Sequence, residues 1–367
     1  MKNYLNFEAD IKRIETELEE LKDPYKEGLT EVDTNKISGL QSELDEKLKE
    51  VYSNLNAWET VLVARHEDRP KSKFFIDNLF DDFITLSGDR YYGEDKSVIA
   101  GFARLNNDSV LVIGQEKGDN LESRIERNFG MMRPEGYRKT IRLMKLAEKY
   151  KIPIISFIDT PGAYPGIGAE QRGQAESIAS SIECCMSLEV PIISVIIGEG
   201  GSGGAIALAS ANKVLMFENA IFSVISPEGC ASILWRDPSK SLEAAQAMKL
   251  TAQELFKMKI VDEIIQEPIG GAHRDKEFLI SSTRDVLVKY LDEFKNYSKE
   301  DIYQQRREKF LNIGKQKSFS VFSKESINLF EKTSIYSLFK DKIIPYKKKL
   351  LVFFILIVSL ISMFYLL

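Results

Sequence analysis

The sequence predicts an α/β fold in which successive strand–turn–helix units stack on one another. From about residue 74, short apolar runs alternate with glycine-rich turns and amphipathic stretches, as expected for buried strands joined by helices. Two of these units repeat, because the segments IPIIS and VPIIS place Pro153 and Pro191 thirty-eight residues apart. Each segment runs into a glycine turn and then a helix, which indicates βα layers built from one repeated unit.

Residues 1–70 precede the repeated units and are predicted to form a helical hairpin. Apolar residues recur at three-and-four spacing along two stretches, and the segment DPYKEG separates these stretches. The recurring residues are Ile11, Ile14, Leu18 and Leu21 in the first stretch, and Ile37, Leu40, Leu44, Leu48, Val51, Leu55, Trp58 and Leu62 in the second. The sequence therefore predicts one short helix followed by one long helix that continues to about residue 62.

After the hairpin, five apolar runs are predicted to be buried strands and two amphipathic stretches are predicted to be helices. The strands are SVLVIGQEKG (109–118), IPIISFIDTPG (152–162), VPIISVIIGEGG (190–201), KVLMF (213–217) and AIFSVISPEG (220–229), and the helices are GYRKTIRLMKLAEKY (136–150) and about 170–188. Because α/β proteins place ligands at the carboxyl ends of their strands, we expect the turns at 159–166 and 198–204 to lie near one site.

The composition excludes several classes of function. A formal net charge of −5 over 367 residues provides no positive field for nucleic acid. Three cysteines without a CxxC pair exclude a disulfide framework and a zinc ribbon, and they favour the reducing cytoplasm. Only two histidines, His66 and His273, are present, so a mechanism with an imidazole base has two candidates. We predict no metal site in this chain.

The carboxyl-terminal part of the sequence has a different character. Residues 315–349 are polar and are interpreted as a linker, whereas residues 350–367 are eighteen residues without a charge, directly after three lysines. As a helix these residues would span about 27 Å, close to the apolar thickness of a bilayer, and the lysines would keep the main body on the cytoplasmic side. We predict a transmembrane tail that tethers a cytoplasmic protein. The alternative is a terminal helix buried in the core.

The stretch GEGGSGGAIA (198–207) follows a buried run and satisfies three incompatible templates. Its first six residues match the GxGxxG dinucleotide fingerprint, and Glu218 lies where an acid could hold a ribose. However, only about nine residues separate Gly203 from the next predicted strand at Lys213, and a crossover helix between parallel strands needs more room than that.

The other two templates are a nucleophile elbow and an oxyanion hole. The elbow GxSxG would centre on Ser202 and needs an imidazole base, although only one histidine follows this serine in the chain. In an oxyanion hole, paired glycines let main-chain N–H groups approach a ligand at the positive end of a helix. Gly203 and Gly204 open the predicted helix and are the predicted donors. Gly200 and Gly201 are candidates for substrate binding or for close packing of strand against helix.

Five longer motifs carry a resemblance to a known family. They are RNFGMMRPEGYRK (127–139), FIDTPGAYPGIGAEQRGQ (157–174), IGEGGSGGAIA (197–207), SVISPEGCASILW (223–235) and EPIGGAHRD (267–275). In order and spacing, the sequence resembles the alpha subunits of the carboxyltransferase component of bacterial and plastid acetyl-CoA carboxylase, as far as about Gly314. The resemblance implies a crotonase-like (ClpP/crotonase) fold, a superhelix of ββα units, over residues 71–314.

By that resemblance, the chain transfers a carboxyl group from carboxybiotin to acetyl-CoA and forms malonyl-CoA, the first committed step of fatty acid synthesis. The resemblance implies that Gly203 and Gly204 donate their amides to biotin. It also implies that the turn DTPGAYPG forms the facing wall, with Gly162, Ala163 and Tyr164 as candidates for substrate binding.

The resemblance also implies partners. Biotin is carried by the biotin carboxyl carrier protein and is carboxylated by biotin carboxylase, and acetyl-CoA is the substrate. A homologous beta subunit with its own zinc ribbon supplies the acyl-CoA half of an alpha2beta2 heterotetramer. Two alternatives stay open at this point, namely a membrane-tethered scaffold of the same fold without catalysis, and a crotonase-type serine hydrolase.

Overall fold

The computed structural model describes residues 3–22 and 34–314, and its eight described strands form one mixed β-sheet. The strands are β1 (Asp81–Thr85), β2 (Val98–Leu105), β3 (Asp108–Gln115), β4 (Ile154–Thr160), β5 (Ile192–Gly201), β6 (Lys213–Phe217), β7 (Ile221–Ser223) and β8 (Glu263–Ile265). Their order across the sheet is β1-β2-β3-β4-β5-β6-β8, and β7 pairs with β5. The pairs β1–β2 and β2–β3 are antiparallel, whereas all the others are parallel.

Helices connect and cover these strands. They are α1 (Ala9–Lys22), α2 (Thr34–Tyr52), α3 (Ala57–Ala64), α4 (Ser72–Leu79), α5 (Leu121–Glu126), α6 (Pro134–Lys149), α7 (Ile167–Gln171), α8 (Gln174–Ser187), α9 (Ser202–Ala209), α10 (Pro227–Leu234), α11 (Ser241–Met248), α12 (Ala252–Lys257), α13 (Lys276–Phe294) and α14 (Lys299–Asn312). Short 3-10 turns lie at Asn6–Glu8, Asn128–Gly130 and Pro238–Lys240. The helix α8 packs against both α6 and α9, and α9 contacts β4 and β5.

The two repeated segments lie side by side in the sheet, as predicted. Ile154 of β4 pairs with Ile192 of β5, and Ser156 pairs with Ser194. The hydroxyls of these two serines hydrogen bond at 2.7 Å. Because both strands are buried along their whole length, the apolar repeat supplies the centre of the core, and the turns that follow the two strands emerge at the same edge of the sheet.

The amino-terminal region differs from its prediction in one respect. The short helix is α1, but the predicted long helix stops at Tyr52, and a separate helix, α3, begins at Ala57. The side chain of Asn56 accepts hydrogen bonds from the amides of Trp58 and Glu59, and Glu59 accepts from the amide of Asn56. This capping box starts a new helix in spite of the continuous apolar spacing. The segment DPYKEG lies outside the described residues.

Three strands were not predicted, and one predicted strand is shorter than expected. The three strands are β1, β2 and β8. Residues of the edge strand β1 are mostly exposed and form no apolar run, and β8 has only three residues. The predicted strand at 220–229 is reduced to β7 because Pro227 begins α10 and Ser226 caps that helix by accepting from the amide of Gly229.

The described residues all fall within one compact unit, Met1–Lys317. The predicted linker at 315–349 and the predicted transmembrane tail at 350–367 lie outside the described residues. Within residues 3–22 and 34–314, no helix has the length and apolar character needed to cross a bilayer.

Candidate active site

The two predicted site turns meet at the carboxyl ends of β4 and β5. A Cβ atom added to Gly201 would lie 2.2 Å from the carbonyl oxygen of Pro161, and one added to Gly204 would lie 2.6 Å from the carbonyl carbon of Gly162. Real Cβ atoms do not approach backbone so closely. Both glycines are therefore needed to bring the start of α9 against the turn that follows β4.

The start of α9 presents main-chain donors. Gly203 is half-buried and Gly204 is buried, and no side chain from the described part of the chain caps the helix at Gly201. Among the loop and turn hydrogen bonds of the described residues, none uses the amide of Gly203 or Gly204. Amides in the first turn of a helix have no intrahelical acceptor and lie at the positive end of its dipole. These two amides are suited to a partly negative oxygen.

The facing turn is held by its own hydrogen bonds. The amide of Gly162 donates to the Thr160 hydroxyl at 3.2 Å, and that hydroxyl donates to the Gly162 carbonyl at 2.7 Å. The amide of Tyr164 donates to the Met132 carbonyl at 3.1 Å. Since these amides already have acceptors, Gly162 and Tyr164 do not offer main-chain N–H groups, and their role in the wall of the site stays a prediction. Ala163, between them, is half-buried.

Gly200 and Gly201 are buried members of β5. A Cβ on Gly200 would lie 2.9 Å from the Phe222 ring of β7. Gly201 pairs with Ser223, which also belongs to β7. These contacts are consistent with a packing role for both glycines, one of the two alternatives that the sequence left open, and their role in substrate binding stays a prediction.

A buried glutamine supports α9 from below. Gln115, at the end of β3, is fully buried and its side-chain amide donates to the Gly204 carbonyl at 2.8 Å. Its Oε1 is buried and has no hydrogen-bond partner among the described residues. Because the bond fixes the peptide that follows the candidate donor, Gln115 positions the start of the helix. Sequence analysis missed it, since a lone glutamine at a strand end carries no motif.

An ion-pair network, also missed, joins the two strand ends. The ammonium of Lys117 lies 2.8 Å from Asp159 Oδ1 and 2.6 Å from Glu199 Oε2, and Arg65 Nε lies 2.6 Å from Glu199 Oε1. The Glu199 amide also donates to Asp159 Oδ1 at 2.9 Å. Burial opposes ionisation of Glu199, but Lys117 and Arg65 outweigh it and lower the pKa of Glu199 to about 2. The network ties β4 to β5 just before both site turns.

The structure gives Ser202 an elbow-like conformation but no base. Its φ of 52° lies in the left-handed region that serine rarely adopts. The rings of His66 and His273 stack on each other at 4.0 Å, and His66 Nδ1 accepts from the Asp68 amide. Burial, with His66 beside it, lowers the pKa of His273 to about 3. Neither imidazole hydrogen bonds to Ser202 within the described residues, which removes the arrangement that a serine hydrolase needs.

The dinucleotide template also fails on geometry. Gly198 and Gly200 lie inside β5 and not in a turn after it, so they cannot cradle a pyrophosphate. A Cβ on Gly198 would lie 2.6 Å from Asp159 Oδ1, which explains the glycine by packing. Glu218 accepts a hydrogen bond from the Glu267 amide at 3.3 Å, so that this carboxylate has a structural partner.

Comparison with known proteins decides between the remaining interpretations of this site. Residues 4–314 match the family described as acetyl co-enzyme A carboxylase carboxyltransferase-like. The chain belongs to this family. The alpha subunit of acetyl-coenzyme A carboxylase carboxyl transferase from Pelagibacter ubique is 71% identical over 320 residues, which cover 87% of this chain and 87% of that protein. The corresponding subunit from Mesorhizobium japonicum is 51% identical over 315 residues, covering 86% of this chain and 99% of that protein.

Two solved structures share the fold. A transcarboxylase 12S structure, with methylmalonyl-coenzyme A and methylmalonic acid bound, has a TM-score of 0.51 at 18% identity and covers 63% of this chain and 44% of that chain. A Pseudomonas malonate decarboxylase hetero-tetramer in complex with coenzyme A has a TM-score of 0.51 at 13% identity and covers 65% of this chain and 92% of that chain. The predicted crotonase-like fold is confirmed.

Family membership confirms the predicted activity as well. The chain is a carboxyltransferase component of acetyl-CoA carboxylase and acts in carboxyl transfer to acetyl-CoA. Within the described ranges, 3–22 and 34–314, no group of three histidine, cysteine, aspartate or glutamate side chains is arranged to hold a metal ion.

Proposed function

We propose that this chain supplies the biotin-binding half of the carboxyltransferase site, with the amides of Gly203 and Gly204 donating to the ureido oxygen of biotin. Carboxybiotin, carried on a separate carrier protein, supplies the activated carboxyl group. The single observation that carries the proposal is the close contact between Gly204 and Gly162, because it aligns a helix start with the wall of a second turn. The Gly203 and Gly204 amides, which no loop or turn carbonyl accepts among the described residues, fit the carbonyl oxygen of a ureido group.

The proposed contribution of this chain is electrostatic. When the carboxyl group leaves, negative charge develops on the ureido group, and fixed main-chain donors stabilise such charge without reorganising. A helix start adds a favourable dipole. Side-chain nucleophiles are not required by this chemistry, which agrees with the absence of an imidazole partner for Ser202 among the described residues.

We further propose that a homologous beta subunit completes the site and brings the acyl-CoA half, in an alpha2beta2 assembly. Exposed apolar side chains on α9, after β7 and on α10 support a partner. Ile206 on α9 is 37% exposed, Val224 after β7 is 72% exposed and Ile233 on α10 is 68% exposed. Val224 follows Ser223, the partner of Gly201 in the sheet. Exposed apolar side chains of this kind are typical of surfaces that bind another protein.

The first prediction concerns activity of the assembled complex. We expect malonyl-CoA only when this chain, a beta subunit from the same genome, acetyl-CoA and carboxylated biotin carrier are combined, because each subunit supplies one half of the site. The measurement is malonyl-CoA formed by the co-purified subunits, with each subunit alone as the control. A complex that assembles but forms no malonyl-CoA would favour the non-catalytic scaffold.

The second prediction concerns location. We propose that the protein is cytoplasmic and tethered by residues 350–367, on the strength of their eighteen uncharged residues after three lysines. Deleting residues 350–367 is expected to move the protein from the membrane pellet to the soluble fraction, since the apolar segment would no longer enter the bilayer. Deleting only residues 315–330 is the control and should leave the protein in the pellet. An unchanged distribution after the first deletion would support a helix buried in the core.

A further inference from the structure

A pocket of about 320 Å³ lies beside the candidate site, at the carboxyl ends of the central strands. It is lined by Ala64, Arg65, His66, Lys71, Lys117, Arg124, Phe129, Met131, Asp159, Pro161 and Glu199. None of the seven predicted site residues is in this lining, although Pro161 directly precedes Gly162. Ligands of α/β proteins bind at this edge of the sheet, and the volume suits a small molecule.

The charges of the lining are unbalanced. Among the described residues, the lining contains four cationic side chains and two carboxylates, the cations being Arg65, Lys71, Lys117 and Arg124. Asp159 forms an ion pair with Lys117, and Glu199 forms ion pairs with both Lys117 and Arg65. Two of the cations also have carboxylate partners outside the lining, Arg65 with Glu228 and Arg124 with Glu67. Within the part of the chain that the structure describes, Lys71 is therefore the cation of the lining without a carboxylate partner.

Lys71 shows this imbalance most directly. It is 6% exposed, and its ammonium donates to three backbone carbonyls, those of His66, Glu67 and Arg69. Within the described residues it has no ion pair with a carboxylate. Burial lowers the pKa of Lys71 to about 8, and Lys117 and Arg124 add to this effect although Asp159 opposes it. A negative group in the pocket would supply the missing counter-charge.

Donors remain for such a group. In the described part of the chain, Nη2 of Arg65 makes no hydrogen bond, and the ammonium of Lys117 uses two of its three protons. The Nη atoms of Arg124 have, among the described residues, two long contacts of 3.5 Å, one to the carboxylate and one to the carbonyl of Glu67. Phe129 and Met131 also line the pocket and contribute apolar surface.

We propose that this pocket binds a small organic anion, with its carboxylate or phosphate group against Arg65, Lys117 and Arg124 and its apolar body against Phe129 and Met131. Guanidinium groups favour such oxygens because they donate two parallel charge-assisted hydrogen bonds. Gly203 and Gly204 are not in the lining of this pocket, and its occupancy is measured by direct binding, without turnover.

The third prediction tests this pocket by isothermal titration of the full chain with inorganic phosphate and with benzoate. Phosphate tests whether the cationic side chains bind an anion, and benzoate tests the same side chains together with the apolar contact to Phe129 and Met131. Arg124→Gln is expected to weaken binding of both probes by about tenfold or more, the effect of losing a charge-assisted hydrogen bond. Phe129→Ala is expected to weaken the binding of benzoate and to leave the binding of phosphate unchanged.

Arg127→Gln is the matched control. Arg127 directly follows α5, the helix that contains Arg124. Its side chain donates to the exposed Lys96 carbonyl, and it is not in the pocket lining. The Arg127→Gln variant should leave the affinity for both probes unchanged, and thermal melting should show that all three variants are folded. The proposal is overturned if neither probe binds the unaltered chain, or if Arg124→Gln and Arg127→Gln weaken binding equally, as a non-specific charge effect would.

Discussion

Replacing Gly204 with alanine is expected to lower malonyl-CoA formation by the reconstituted complex about a hundredfold or more, the loss that follows displacement of one oxyanion donor. The added methyl group would lie 2.6 Å from the Gly162 carbonyl carbon and 3.0 Å from the Ala163 amide nitrogen. Because these neighbours are backbone atoms, the start of α9 and the facing turn must move apart. The measurement is the initial rate of malonyl-CoA formation at saturating acetyl-CoA.

Gly203→Ala is the matched control for this variant. A methyl group on Gly203 would meet only the Ile178 side chain, at 3.4 Å, an ordinary contact that leaves the backbone in place. We expect this variant to keep most of the activity, since alanine retains the amide donor. Gel filtration with the beta subunit should show that both variants assemble. Equal rates for the two variants would contradict the proposed geometry of the donors.

The sequence predicted those parts of the site that depend on local pattern. The repeat of IPIIS and VPIIS placed β4 and β5 next to each other, and the pairing of Ser156 with Ser194 shows that the repeat is in register. Because parallel strands in neighbouring layers end at one edge, the turns after them had to meet. The glycines at 203 and 204 could be singled out since few other residues permit so close an approach.

The missed features depend on contacts between residues far apart in the chain. Lys117 and Glu199 are 82 residues apart, and Gln115 and the Gly204 carbonyl are 89 residues apart. A lysine or glutamine at a strand end has no periodic signal, so only the folded sheet shows that these side chains converge. The break between α2 and α3 was missed for another reason, because the Asn56 capping box competes with apolar spacing that continues through it.

Lys117→Met is expected to destabilise the protein by about 3–5 kcal/mol, the usual cost of removing one partner from a buried ion pair. The side chain of Lys117 is 14% exposed, and those of Asp159 and Glu199 are 3% and 10% exposed. Without the ammonium, the carboxylates of Asp159 and Glu199 would lie close together with little water around them. Arg65 pairs with Glu199 but not with Asp159, so Asp159 would lose its ion-pair partner. The free energy of unfolding is measured by urea titration at neutral pH. The control is Lys96→Met, which removes one partner of the exposed ion pair with Glu126 and should leave the free energy of unfolding unchanged.

The pH dependence of this difference separates an electrostatic loss from a packing defect. The pKa of Glu199 is about 2 in the folded protein against an ordinary value of 4.5. Its ion pairs therefore contribute stability above about pH 4.5, and the contribution is lost as the pH falls towards 2. The stability difference between the unaltered chain and Lys117→Met should be largest at neutral pH and shrink over that range. A difference that stays constant with pH would mean that Lys117 acts through packing alone and that the network does not hold the two site turns by charge.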